Sequence, residues 1–478
     1  MSAIAKTVLE RVYPLLGVRS QNAVISTYGY LYRHRRLGGE FPQLVSEFAA
    51  RDRWPTERMC AYVEAQLRGM VAHAWNHVPY YRRAWASAGM DSAAIGGLRL
   101  EDLPLLPIVP KADLRCAPDS FLAGGELRWH VPLLESTSGS TGEPVTVTST
   151  AALQRAYLAA REARSFRWAG ASLLLRKATI GGRAVVPRAD SPGPFDRHNR
   201  AEQQCYLSAF HISPRNASAY VNALRRHGAR VLTGYASSYF SLARMMLAQG
   251  LTLGYQPDAL VLCADKLTAE MKAVISEAFR ARPYEEYGSV ENAALATECE
   301  YGSLHAHPDF GIVEIVDPEG RPVPPGQDGR IVCTSLLNRV QPLIRYDVGD
   351  IGRWSAAPCD CGRDHLPVIE EIVGRVEDIV TGPDGREIVR LCSLQGVPRV
   401  LASQVVQHRA DAITVRVIAA EGFGTAEEKM IRDILGARRL GDVQIDIERV
   451  TELEKTAAGK VRRVIRRIAG EPPVTEAA

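Results

Sequence analysis

The stretch Ser136-Thr137-Ser138-Gly139-Ser140-Thr141-Gly142 places five hydroxyls and two glycines in seven residues, ahead of the strand-like alternation Val145-Thr146-Val147-Thr148. Glycines let a backbone turn tightly and aim its N–H groups at one point, and such a concavity binds anions. Hydroxyls add donors without bulk. The chemistry on offer is phosphate binding, with Thr137, Ser138, Gly139, Ser140, Thr141 and Gly142 as the cradle. A Ser/Gly linker or a hairpin turn fits the loop equally well when it is taken alone. The common nucleotide loop G-x-x-x-x-G-K-S/T is absent, because Glu143-Pro144-Val145 follows the glycines instead of a lysine. Phosphate charge would then need Mg²⁺ and a cation from elsewhere. The tail offers one in 455-KTAAGK-460, where Gly459 permits a bend before Lys460. The competing reading of that run is a solvated basic tail.

A second set of residues points to metal. Cys359 and Cys361 form C-x-C before Gly362, and Cys299 and His305 lie close together in 298-ECEYGSLH-305. Singly, each reads as a small buried cysteine or a satisfied histidine. Together they supply three sulfurs and one imidazole, a closed tetrahedral set for a structural Zn²⁺. His307 and His365 compete for the imidazole place. Cys60, Cys116, Cys205, Cys263, Cys333 and Cys392 have no evident partner.

Positioning these groups requires an α/β scaffold. Residues 1–90 carry helical spacing, with Met59–Ala74 the clearest case, ending at His77-Val78-Pro79. Prolines then punctuate 104-PLLPIVPK-111, which reads as a surface loop. From about 130 onward, short apolar runs (173-LLL-175, 231-VLTGY-235, 259-ALVLC-263) alternate with helical stretches at 237–249 and 268–280. Two further strands are expected at 311-GIVEIVD-317 and 330-RIVCTSL-336. Beyond residue 374 the pattern changes to short strands, one helix near 426–436 and the basic tail, a small α+β unit.

Composition narrows the function. The 478-residue chain has a net charge of +4, too small to argue for nucleic acid or a membrane surface. No segment reaches the ~18–20 apolar residues of a membrane span. Lys6, Glu10 and Arg11 break the N-terminal apolar stretch, so a cytoplasmic protein is expected. Nine cysteines spread over this length argue for free thiols or a metal site rather than a disulfide framework.

Taken together, these stretches resemble the adenylate-forming ligases, the superfamily of acyl-CoA synthetases and peptide-synthetase adenylation domains. Five motifs match in order: 137-TSGSTGEP-144, 287-YGSVE-291, 346-YDVGD-350, 374-GRVED-378 and 455-KTAAGK-460. Within the superfamily the chain is most similar to the phenylacetate–CoA ligase family, through 78-VPYYRRAW-85, 107-PIVPKADLR-115 and 358-PCDCGR-363. The turn 383-PDGREI-388 and the stretch 404-QVVQ-407 look like that family's capsule-biosynthesis branch. The resemblance covers nearly the whole chain.

It implies a large N-terminal α/β adenylation domain with mixed sheets and a helical N-terminal segment, residues 1–373, and a small mobile C-terminal α+β domain, residues 374–478. It implies a two-step reaction: a small-molecule carboxylate attacks the α-phosphate of ATP, giving acyl-AMP and pyrophosphate, and a nucleophile then displaces AMP. Thr137 to Gly142 would hold the β- and γ-phosphates. Tyr287 would offer its ring to adenine, with Gly288 and Ser289 beside it. Asp350 would accept from the ribose hydroxyls, Arg375 would contact ribose or phosphate, and Asp378 would sit at the hinge. Glu291 would bind Mg²⁺, a hard cation that prefers oxygen. Lys460 would bridge the substrate carboxylate and the α-phosphate, stabilising charge rather than moving protons. Members of the family carry a structural metal with similar Cys/His placement.

Each role has a plainer competitor. Tyr287 could be core, Asp350 a turn residue, and Arg375 a partner of Glu377 or Asp378. Two departures stand out: Val290 replaces the hydroxyl residue usual before Glu291, with Ser289 as a substitute donor, and Ala264-Asp265-Lys266 replaces Ser-Gly-Glu. The acyl pocket is expected at Tyr235, Ala236, Ala264 and Tyr287. Small residues at 236 and 264 leave room for an aryl or arylalkyl acid, although Ser237 or Ser238 could simply cap the helix that follows. No motif fixes the acceptor: CoA, a carrier-protein phosphopantetheine and an amine all remain. A homodimer is allowed. The alternative of another class is a non-catalytic nucleotide-binding protein.

Overall fold

The computed structural model describes residues 12–128, 131–136, 145–183, 185–186, 191–375, 380–381, 387–388, 394, 397–437, 443–455 and 461–467. Its spine is a 12-stranded sheet. Five neighbouring strands, Pro283–Gly288, Ala259–Cys263, Val231–Tyr235, Lys177–Gly181 and Gln204–Ser208, run parallel. Crossover helices Ala217–His227, Ala236–Ala248 and Ala269–Phe279 connect this half. Both faces of the parallel block are covered. Leu232, Leu260 and Leu262 pack with those helices. The alternating Val231, Ala259 and Val261 pack with Phe41, Val45 and Phe48 of the helix Phe41–Arg51 and with Ala159 and Ala160 of Ala151–Arg161. Burial on both faces is why 231-VLTGY-235 and 259-ALVLC-263 read as continuous apolar runs.

The other half of the sheet is antiparallel, through Leu295–Glu298, Leu304–Ala306, Val368–Arg375, Tyr346–Trp354, Asp328–Ser335 and Gly311–Val316. The helix Thr56–His77 ends where expected, with Val78 as its cap and Pro79 opening the next helix. Two expectations need correction. The segment 104–111 runs at the surface through Leu105 and Pro110 but turns inward at Leu106 and Val109. Leu103, Leu106 and Val109 are buried in the main core, and Val109 bridges Tyr346. The buried guanidinium of Arg345 donates to the carbonyls of Pro104 (2.8 Å) and Leu106 (2.6 Å), satisfying backbone that prolines leave without sheet partners. The run 173–175 is a turn, with the strand starting at Lys177. There Leu173 plugs the core while its N–H donates to Glu162 (2.8 Å) and Leu174 points outward.

Beyond Arg375 a separate core begins at Val380, with Val405, Val415, Val417, Phe423, Ile431 and Leu435. It fills a 4-stranded sheet, Gln444–Arg449, Ala412–Ala419, Val400–Arg409 and Val464–Arg466, backed by the helix Thr425–Ala437. Among the described residues no helix is long and apolar enough to cross a membrane.

Candidate active site and cysteine-histidine cluster

Carboxyl ends of neighbouring parallel strands are where α/β sheets bind ligands. Here Tyr235 and Cys263 end adjacent strands in register, and Glu285 to Gly288 continue the same edge. Tyr235, Ala264 and Tyr287 therefore come from successive strand ends. Gly234 is required at this edge: with φ at +121°, a Cβ would meet the Ile180 carbonyl oxygen at 1.9 Å. Burial pushes the Tyr235 hydroxyl up to about 12, with Asp265 and Cys263 adding to the shift, so it stays protonated as a donor. Ala264 is exposed and left-handed, with φ at +69°. Ala236 behaves differently. It has no exposed surface and packs into the helix-covered core, so it backs the site without lining it.

The stretch that departs from the family is built into this edge. Ser237 donates its hydroxyl to Asp265 (2.5 Å), and its N–H lies 3.4 Å from the same oxygen. Neither Ser237 nor Ser238 caps the helix Ala236–Ala248. Asp265 instead brings negative charge to that N-terminus from the next strand, the favourable polarity for a helix dipole. Lys266 pairs with Glu371 on the strand that ends at Arg375.

Three of the expected nucleotide residues meet through hydrogen bonds and register. The Tyr287 hydroxyl donates to the Asp350 carboxylate at 2.9 Å. Asp350 also faces Arg375 across the antiparallel pair of strands. The Tyr287 ring is half-buried against the cluster of Ala296, Leu304, Ala306 and Ile369. The Ser289 hydroxyl is buried and has no partner among the described residues, while Val290 is exposed. That leaves Ser289 as the available donor beside Gly288 and Glu291.

Glu291 is buried, and two residues that the motif reading missed surround it. Tyr346 donates its hydroxyl to Glu291 at 3.1 Å, and the Lys111 ammonium stands 3.5 Å away. Burial and the neighbouring Glu291 carboxylate hold Tyr346 protonated. Lys111 lies far from Glu291 in sequence, and nothing in 107-PIVPKADLR-115 links them. The Glu291 carboxylate could take a Mg²⁺ whose remaining ligands are phosphate and water, provided that Lys111 turns from the carboxylate to the phosphates.

Several expected residues lie outside the described structure: Thr137, Ser138, Gly139, Ser140, Thr141 and Gly142, Asp378, Lys460, and the side chain of Arg375. The stems of the 137–144 segment are described. Leu133–Ser136 pairs with Thr146–Ser149 as an antiparallel hairpin, closed by Ser136 and Thr146 hydroxyls 3.0 Å apart. Gln341 and Asn338 anchor this hairpin through Thr148 at 2.6 and 3.1 Å.

Cys299, His305, Cys359 and Cys361 converge, with one donor atom from each within 4.8 Å of the others. The Cys299 and Cys359 sulfurs are 3.6 Å apart, and Cys361 Sγ is 3.4 Å from His305 Nε2. A disulfide needs about 2.05 Å. A tetrahedral zinc with bonds of about 2.0–2.3 Å implies ligand–ligand edges of roughly 3.4–3.8 Å. His305 Nδ1 donates to the Leu366 carbonyl at 2.9 Å, which leaves Nε2 free to ligate. Burial, with Cys359 close by, pushes the Cys361 thiol up to about 11 despite Arg363. His307 is excluded from the set: its Nε2 meets the Thr297 hydroxyl at 2.9 Å. His365 is likewise not among the four.

The chain is 29% identical over 85% of its length to a phenylacetate-coenzyme A ligase of Thermus thermophilus, covering 90% of that protein. It is 26% identical over 76% of its length to protein CapK of Staphylococcus aureus, covering 80% of it. Residues 386–467 match the family described as the CapK C-terminal domain. The chain is a homologue of the phenylacetate–CoA ligases and CapK. Its fold is that of the adenylate-forming CoA ligases. A crystal structure of 2-hydroxyisobutyryl-CoA ligase in the postadenylation state overlays with a TM-score of 0.67 at 22% identity, over 87% of this chain and 90% of that one.

Proposed function

We propose that this phenylacetate–CoA ligase homologue is an ATP-dependent, AMP-forming acid–thiol ligase. The observation that carries the reading is the strand-end site, where the Tyr287–Asp350 pair, the Ser289 hydroxyl and Glu291 with Lys111 gather at and just beyond the end of the strand Pro283–Gly288. That set offers an aromatic face, a sugar-binding carboxylate, a donor and a cation site. A nucleoside triphosphate needs each of them.

In the first step a carboxylate oxygen of the acid attacks the α-phosphorus of ATP. The bond from that phosphorus to the bridging oxygen breaks, and pyrophosphate leaves. The 137–142 cradle and Lys111 hold the β- and γ-phosphates. Mg²⁺ at Glu291 would offset their charge. Asp350, fixed by Tyr287, accepts from the ribose hydroxyls with Arg375 opposite. Ser289 donates where the superfamily's usual hydroxyl is missing. Lys460 stabilises charge between the two reacting groups. In the second step the thiol of CoA attacks the acyl carbon and AMP departs, after the small lobe turns about residues 374–378. The acid is aryl or arylalkyl, bounded by Tyr235, Ala264 and Tyr287. Cys299, His305, Cys359 and Cys361 would hold a structural Zn²⁺, tying the segment after Glu291 to the loop after Asp350.

A panel of acids against CoA, a carrier protein and simple amines, read by mass spectrometry alongside pyrophosphate exchange into ATP, tests this. One acid should support exchange, and CoA should then release AMP with a thioester mass. Exchange without any CoA product would move the acceptor to an amine or a carrier. No exchange with any acid would leave a non-catalytic nucleotide-binding protein.

A further inference from the structure

The base of the loop that bears Lys460 is mounted on both lobes. Within the small lobe, Lys455 and Val461 form an isolated antiparallel bridge across that base. Just outside the bridge, the buried amide of Gln404 donates to the carbonyls of Glu454 (3.0 Å) and Arg462 (2.7 Å), so one side chain grips both stems. Toward the large lobe, the Lys455 ammonium donates to the carbonyl of Phe210 at 2.9 Å and lies 3.5 Å from that of Ala209. Its largely buried position lowers its proton affinity, so the contact replaces water rather than supplementing it. A cavity of about 360 Å³ surrounds the contact, lined by Phe210, Ser237, Ser238, Glu452, Lys455 and Val461 among others. The receiving turn is stiff. His211 Nδ1 and the Ser208 hydroxyl are 2.7 Å apart, Asn216 donates to the His211 carbonyl at 2.8 Å, and the His211 ring stacks on Phe195. That turn follows the carboxyl end of the strand Gln204–Ser208, on the same sheet edge as Tyr235 and Ala264.

Resting on the function proposed above, we infer that Gln404 and Lys455 are two separate mounts for the catalytic loop, and that Lys455 is a positioning residue for adenylation but not for thioester formation. Gln404 acts inside the small lobe and is kept whatever the lobe does. Lys455 bonds across the lobe boundary to the 209–210 turn, so a turn of the small lobe breaks that contact. Geometry at the reacting phosphate is steep, and small misplacements cost roughly 10²-fold in rate.

The test uses the full-length protein. In Lys455→Met, amide exchange followed by mass spectrometry should quicken in both the 207–216 and 452–463 peptides. Gln404→Leu should quicken only 452–463. With the acid found by the panel, Lys455→Met should slow pyrophosphate exchange by roughly 10–100-fold, while thioester formation from CoA and supplied acyl-adenylate stays within about twofold. Lys455→Arg keeps charge and donors, and should recover part of the loss. Unchanged exchange in either peptide of Lys455→Met overturns the docking, as does equal loosening of both peptides by Gln404→Leu. An equal slowing of both half-reactions overturns the positioning role. If the wild-type protein forms no adenylate at all, the proposed function fails, and amide exchange alone decides the docking.

Discussion

The strand-end site and the cysteine-histidine cluster hang from the same stretch of sheet, residues 283–306, yet they are built in opposite ways. At the strand ends the charged groups are spoken for by protein: Asp350 by Tyr287, Glu291 by Tyr346 and Lys111. At the cluster, three thiols and an imidazole converge, a donor set for one tetrahedral ion. The first arrangement pairs its charged groups with side chains that a ligand can displace, which suits a site that must bind, react and release. The second offers only metal ligands, with no reacting group among them, which suits a fixed staple. Both rest on antiparallel hairpins between the parallel block and the distant strands. Loosening the staple should therefore be felt at the site, but less than the loss of a reacting group.

The largest effect expected on the site side is from Lys460→Ala. Pyrophosphate exchange should fall by about 10²–10³-fold or more, the scale of losing one electrostatic stabiliser, while externally supplied acyl-adenylate is still converted. Loss of both half-reactions would remove the assigned role. On the staple side, protein purified without chelator should hold about one zinc per chain, and Cys359→Ser should hold almost none. Its melting temperature should drop by about 5–10 °C, while its adenylation rate at low temperature falls less than tenfold. A larger catalytic than thermal effect would collapse the contrast between the two regions.

A finer cut comes from Tyr287→Phe, which keeps the ring and removes only the hydroxyl on Asp350. About 0.5–1.5 kcal/mol translates into a KM for ATP raised roughly 2–10-fold with kcat little changed. A fall in kcat at constant KM would mean the hydroxyl acts on the reacting groups. The smallest effect concerns Glu285, which lies between the two regions. Burial, with Glu298 beside it, pushes its carboxyl up to about 7. The ionised form is disfavoured by folding, so this residue costs nothing below its unfolded value near 4.5 and costs progressively more as pH rises toward 7. Glu285→Gln keeps the acceptor for the Leu267 N–H. It should raise the melting temperature by about 1–3 °C at pH 8 and by nothing at pH 4. An equal gain at both pH values would deny the titration.

Local residue order carried much of this protein. Runs of apolar residues buried on both faces marked the strands Val231–Tyr235 and Ala259–Cys263, the Val78-Pro79 step marked a helix end, and side-chain chemistry marked three thiols and a histidine as a metal set. These follow from periodicity, capping and ligand preference, all of which act over a few residues or require only the right atoms. What the chain order could not show is which distant groups share a space. Lys111 beside Glu291, Asp265 at the start of the Ala236–Ala248 helix, Arg345 holding the 104–106 carbonyls and Lys455 on the 209–210 turn each join segments far apart in sequence. Pattern also missed that the 104–111 segment turns partly inward and that Ala236 is core, because a proline-rich or small-residue stretch reads the same whether it faces solvent or core. Only packing decides that, since it is fixed by what arrives on the other side.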